Sequence, residues 1–170
     1  GIRDSPSTLE NDYLKLSFDA QGRLRRVFDK RFQREVLAPK ATGNQFILYE
    51  DKMASTGDAW DLDIFYEDKP LETDGELLRS AIVEHGPVRT VLRQERHISH
   101  STITQDIILT ADSARVDFET TVAWGHESNV FLKVAFPFRV RSEKARYEIQ
   151  YGSIERPTHR NMPHDFARFE

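Results

Sequence analysis

Side-chain character that alternates at every second position is the feature that most limits what this 170-residue chain can fold into. Between positions 116 and 124, Val116, Phe118, Thr120, Val122 and Trp124 alternate with Asp117, Glu119, Thr121 and Ala123. Val130, Leu132, Val134, Phe136, Phe138 and Val140 repeat the pattern, with Lys133, Arg139 and Arg141 on the other face. Successive Cβ atoms of an extended chain point to opposite sides, so each run predicts a strand with one buried face. Pro137 has no N–H to give a ladder, so the second strand must lie at an edge or bend there. Seven weaker strands follow at 13–18, 24–29, 45–49, 77–84, 88–97, 102–109 and 146–151. Turn-forming clusters lie between them, among them Asp19-Ala20-Gln21-Gly22, Asp74-Gly75 and His85-Gly86-Pro87. No segment keeps apolar residues at helical spacing for three turns. The expectation is an all-β, antiparallel β-sandwich with a polar outer face.

Composition agrees with a packed domain and narrows the chemistry. Eleven Phe and two Trp supply apolar material for a core, and the absence of Cys removes disulfides, thiolate metal sites and thiol catalysis. A net charge of -4 argues against nucleic acid as a partner, because that affinity rests on Lys and Arg neutralising phosphates. No apolar run approaches the ~20 residues of a membrane-spanning helix, so no membrane partner is expected. Charge is uneven: between Glu50 and Glu76, ten acids face Lys52 and Lys69. Residues 1–8 read as a linker or remnant, and residues 9–170 as a single sandwich domain cut from a larger multidomain protein.

Local signatures of nucleotide enzymes, nucleophile elbows and zinc proteases are absent. His97 and His100, and His159 and His164, have no metal-ligand spacing, and no metal site is expected in this chain. Two polar segments stand out. In Asp58-Ala59-Trp60-Asp61-Leu62-Asp63, an extended backbone puts Asp61 and Asp63 on one face, about 7 Å apart, and Trp60 on the other. Paired carboxylates serve glycoside chemistry and an aromatic ring stacks on sugar faces; a core Trp flanked by acids that cap turns or pair with Arg fits the same spacing. In Glu155-Arg156-Pro157-Thr158-His159-Arg160-Asn161, the side chains of Arg156, Thr158, His159, Arg160 and Asn161 can bond sugar hydroxyls or pair with the acids at 58–63. This segment, from Glu155 onward, is expected to be a loop.

The order of these segments resembles the β-rich domain that follows the catalytic domain in α-mannosidases of glycoside hydrolase family 38, in the branch with cytosolic, vacuolar and bacterial enzymes. The resemblance is carried by Leu9-Glu10-Asn11 with Tyr13, Phe18-Asp19 with Gly22, Asp29-Lys30, Arg34-Glu35-Val36-Leu37, Gly43-Asn44-Gln45, Glu50-Asp51 and Asp58-Ala59-Trp60-Asp61. Further along it is carried by Gly86-Pro87-Val88-Arg89, Ile103-Thr104-Gln105, Asp117-Phe118-Glu119-Thr120, Leu132-Lys133-Val134-Ala135-Phe136-Pro137 and the stretch from Tyr147 to Asn161. It implies a supersandwich like that of galactose mutarotase, and a parent that hydrolyses α-mannosidic bonds with retention. It also implies that zinc or another divalent cation and the catalytic residues sit in a separate catalytic domain. On this view the isolated chain is inactive, its partners are that catalytic domain and mannose-containing oligosaccharides, and its location is cytoplasmic. Asp58, Trp60, Asp61, Asp63 and the 156–161 segment then become sugar-contacting or domain-interface residues. Two alternatives stand beside this reading. One is an autonomous carbohydrate-binding module using Trp60 or aromatics near Tyr151; the other is a mutarotase-type epimerase with His159 and Glu155 as its acid–base pair.

Overall fold

A computed structural model describes residues 7–52, 62, 65–126 and 128–162. They form an all-β structure of several sheets in which every strand pair is antiparallel. In chain order the strands are β1 (Thr8–Glu10), β2 (Leu14–Phe18), β3 (Leu24–Asp29), β4 (Arg34–Glu35), β5 (Gln45–Glu50), β6 (Pro70–Thr73) and β7 (Glu76–His85). There follow β8 (Arg89–Ile98), β9 (Ser101–Thr110), β10 (Val116–Ala123), β11 (Val130–Ala135), β12 (Lys144–Ile149) and β13 (Gly152–Pro157). A 3₁₀ turn, Tyr66–Asp68, precedes β6. The sheets run β1-β2-β3-β4, β10-β9-β8-β7, β11-β5-β6 and β12-β13.

The period-two reading explains how the first two sheets meet. Leu14, Leu16 and Phe18 of β2 and Leu24 of β3 point inward and pack on Leu92 of β8 and Ile107 and Leu109 of β9, all buried. A second cluster joins Phe46 and Leu48 of β5 to Ile98 and Ile103. Turn chemistry sets the connections: Asp19 Oδ1 accepts from the N–H groups of Gln21 and Arg23, and Gly22 takes φ of 68°. Asp74 and Gly75 are both left-handed, and a Cβ on Gly75 would stand 2.3 Å from the His97 carbonyl. Arg96, 4% exposed, donates to the carbonyls of Gln21 and Asp74 and so pins both turns to β8.

Several expectations need correction. β1 takes in Thr8, the last residue of the presumed linker. The segment expected to be a loop from Glu155 onward instead continues the strand Gly152–Pro157, paired with Lys144–Ile149 through a turn at Gln150 and Tyr151. β11 ends at Ala135; Pro137 bends the chain away, and Phe138 bridges to Leu37, as an edge position and a missing N–H require. The inward faces anticipated for β10 and β11 are only partly covered: Val122 and Trp124 are 39% and 41% exposed, Phe138 53%. β10 and β11 are each the outer strand of their sheets, so fewer neighbours bury them.

Candidate functional site

The 3₁₀ turn brings together side chains from distant parts of the sequence. Tyr66 is buried against Tyr49 and Phe131, with ring centroids 5.2 and 5.3 Å away. Phe131 and Lys133 share a face of β11 because they are two residues apart, so the lysine stem runs alongside this aromatic group. Its ammonium lies 4.7 Å from the Tyr66 ring centre and donates to the Tyr66 hydroxyl at 2.5 Å. The outer face of β11 is therefore not merely solvated, as its alternation suggested.

Glu67 is the hub. Its carboxylate accepts from the Tyr66 hydroxyl at 3.0 Å, lies 3.8 Å from Lys133 Nζ, and takes both terminal nitrogens of Arg160, the NH2 contact at 3.0 Å. The Arg160 guanidinium, chiefly, holds Glu67 below the usual carboxylate range against the opposing effect of burial. Burial, reinforced by Glu67, pushes the Tyr66 phenol well above its ordinary value, and burial also lowers the Lys133 ammonium. The cluster is a connected set of charge-assisted hydrogen bonds, with Tyr66 kept protonated and Glu67 kept ionised.

Arg160 belongs to the second polar segment and pairs with Glu67, four residues beyond the acids at 58–63 that were raised as its partners. Thr158 donates its hydroxyl to the Ser142 carbonyl at 2.5 Å and its N–H to the Glu143 carbonyl, which closes the open end of the β12-β13 ribbon. Beside it Glu143, Lys144, Glu155, Arg156, Thr158 and His159 line a groove of about 500 Å³. Glu155 is bonded by Arg146 at 2.8 Å, with Lys144 at 3.8 Å, which compromises it as the base of an epimerase. Arg156 is exposed and has no side-chain partner among the described residues, and Asn161 is exposed. Tyr151 projects fully into solvent at the ribbon turn. Asp58, Trp60, Asp61 and Asp63 lie outside the described residues. Tyr66, Glu67 and Lys133 escaped notice in the sequence; the available signals were the acidic run holding Glu67 and the cation interrupting β11.

Over residues 9–170 the chain matches the model of the glycosyl hydrolases family 38 C-terminal domain. It belongs to that family. This family 38 domain is 38% identical over 168 residues to alpha-mannosidase G of Dictyostelium discoideum, covering 95% of this chain and 15% of the relative. It is 38% identical over 168 residues to alpha-mannosidase 2C1 of Homo sapiens, covering 98% of this chain and 16% of the relative. With the alpha-mannosidase of Saccharomyces cerevisiae it shares 33% identity over 140 residues, 77% of this chain and 13% of the relative. The domain thus spans about a sixth or less of the curated relatives it matches. The family's divalent cation does not fit its described residues. No three His, Asp or Glu gather among them, and the carboxylates of Glu67 and Glu155 are already taken by cations.

Proposed function

We propose that this chain is a non-catalytic β module of a retaining, metal-dependent α-mannosidase of the cytosolic, vacuolar and bacterial branch. It supports a separate catalytic domain and turns the 156–161 segment toward mannose-containing oligosaccharide. The observation that carries the reading is the family match across 9–170, in a chain whose α-mannosidase relatives are several times longer. The face-to-face packing of β1-β2-β3-β4 on β10-β9-β8-β7 supports a supersandwich as the architecture to which it contributes. Exposed apolar side chains on β10 and β11 support a docked neighbour on that side.

The groove beside Arg156 and His159 favours sugar contact, because exposed Arg and His donors next to carboxylates match the alternating donors and acceptors of vicinal hydroxyls. The same groove would serve an autonomous carbohydrate-binding module. The test is a titration of the isolated chain with mannose and an α-linked mannobiose, followed by amide shifts and anomeric proton signals, beside R156A in the full-length enzyme. The proposal expects no cleavage by the isolated chain and a raised KM for oligosaccharide in R156A. Tight binding by the isolated chain would favour the autonomous module, and cleavage would sink the non-catalytic reading.

A further inference from the structure

We propose that Glu67 is the positioning residue of this surface: by clamping Arg160 it fixes the 158–160 segment, and with it the groove at Arg156 and His159, in the orientation that meets oligosaccharide. The inference rests on the sugar-facing reading given above. Its physical basis is the weakness of the element that bears the groove. Among the described residues β12 and β13 pair only with each other, and every residue of β13 is exposed. A two-stranded ribbon of this kind is marginal by itself and takes its orientation from tethers.

Two such tethers flank His159. On one side Thr158 is bonded to Ser142 and Glu143; on the other, Arg160 is bonded through two nitrogens to Glu67. The two-point fork fixes direction as well as distance, which a single hydrogen bond to a flexible lysine would not. The seat itself is rigid, since the neighbouring Tyr66 is buried between Tyr49 and Phe131. Removing the Glu67 carboxylate takes away this fork and leaves the Thr158 tether in place.

The test uses the full-length enzyme, with E67A, E67Q, R160A, the double variant E67A/R160A, and R156A. Each is assayed on an aryl α-mannoside, which fills only the cleaved unit, and on an α-linked mannotriose. Thermal melting confirms folding, and E67Q serves if E67A does not fold. The expected result is a rise in mannotriose KM of roughly tenfold, the scale of one charge-assisted hydrogen bond, with kcat on both substrates and the aryl KM unchanged. E67A, R160A and their double should coincide, because the two residues act as one unit. If R156A raises the mannotriose KM while E67A does not, the positioning role is wrong and the sugar-facing surface stands. If R156A, E67A and R160A all leave it unchanged, the sugar-facing reading falls and takes the positioning role with it. An equal fall in kcat on both substrates would make Glu67 merely structural and overturn the inference.

Discussion

Asn44 and Gln105, 61 residues apart, exchange amide hydrogen bonds inside the protein: Asn44 Nδ2 donates to Gln105 Oε1 at 2.5 Å and Gln105 Nε2 returns one to Asn44 Oδ1 at 3.2 Å. Gln105 Nε2 also reaches the Thr120 hydroxyl of β10 at 2.8 Å, and Asn44 holds a left-handed φ of 52°, which Asn tolerates. The pair welds the start of β5 to β9. Replacing Gln105 by Leu strands the buried Asn44 amide, so Q105L should lose about 1–3 kcal/mol. Urea unfolding measures this, and an unchanged midpoint would contradict the role.

Two buried serines make opposite predictions. Ser101, 1% exposed, accepts from the Gly125 N–H at 3.0 Å, whereas Ser80 Oγ, also buried, has no hydrogen-bond partner among the described residues. Truncation of Ser101 orphans a backbone donor; truncation of Ser80 removes a desolvated hydroxyl that gains nothing in return. S101A should therefore be destabilised by about 1–3 kcal/mol while S80A stays within about 0.5 kcal/mol of the parent or gains stability. Melting curves of the two variants, run side by side, decide it.

The Tyr66 cluster predicts pH dependence at both ends. Glu67 is lowered when folded, so the stability it contributes is present above the ordinary glutamate value of 4.5 and drains away as pH falls through the lower folded value. E67Q should flatten the acid limb of the stability profile. Tyr66 and Tyr49 are raised by burial, with Glu67 adding to it, so above the ordinary tyrosine value of 10.0 the unfolded chain ionises first and stability falls as pH rises. An ultraviolet titration should show two late-ionising tyrosines, Tyr49 and Tyr66. Y66F should reduce these to one, and the absence of any late-ionising tyrosine would refute the burial of this group.

How much of this was legible in the sequence depends on burial. β3 was read to the residue, and β9 and β10 within one position at either end: β9 because its buried face imprints alternation on the side chains, β3 and β10 because turn clusters at 19–22, 111–113 and 125–126 bound them. β13 escaped because it is exposed on both sides, so nothing selects alternate apolar residues, and it ends in Pro157. Its turn at Gln150 and Tyr151 also lacks the Asn-Gly or Asp-Gly signal, although Tyr151 takes φ of 60°. The clamp of Arg160 on Glu67 joins positions 93 apart, and any of ten acids in the acidic run could have taken that cation. Some residues that carried the family resemblance have plain structural duties. Asn11, for example, accepts from the N–H groups of Tyr13 and Leu14 and donates to the carbonyls of Thr110 and Ser113.

The partly covered faces of β10 and β11 predict how the 170-residue chain behaves alone. Val122, Val134, Phe138 and Val140 are 39%, 43%, 53% and 64% exposed, and Phe118, Phe136 and Phe138 border an apolar cavity of about 450 Å³. β10 and β11 each pair on one side only among the described residues, so backbone donors and acceptors accompany the apolar side chains. Apolar surface beside an open edge favours self-association. The isolated chain should bind an apolar dye and sediment increasingly fast as its concentration rises. A charge on the exposed strand should oppose edge pairing without emptying the core, so V122K and V134K should each shift the chain toward monomer with little change in melting temperature. A wild-type chain that stays monomeric at high concentration would show that these surfaces need no cover.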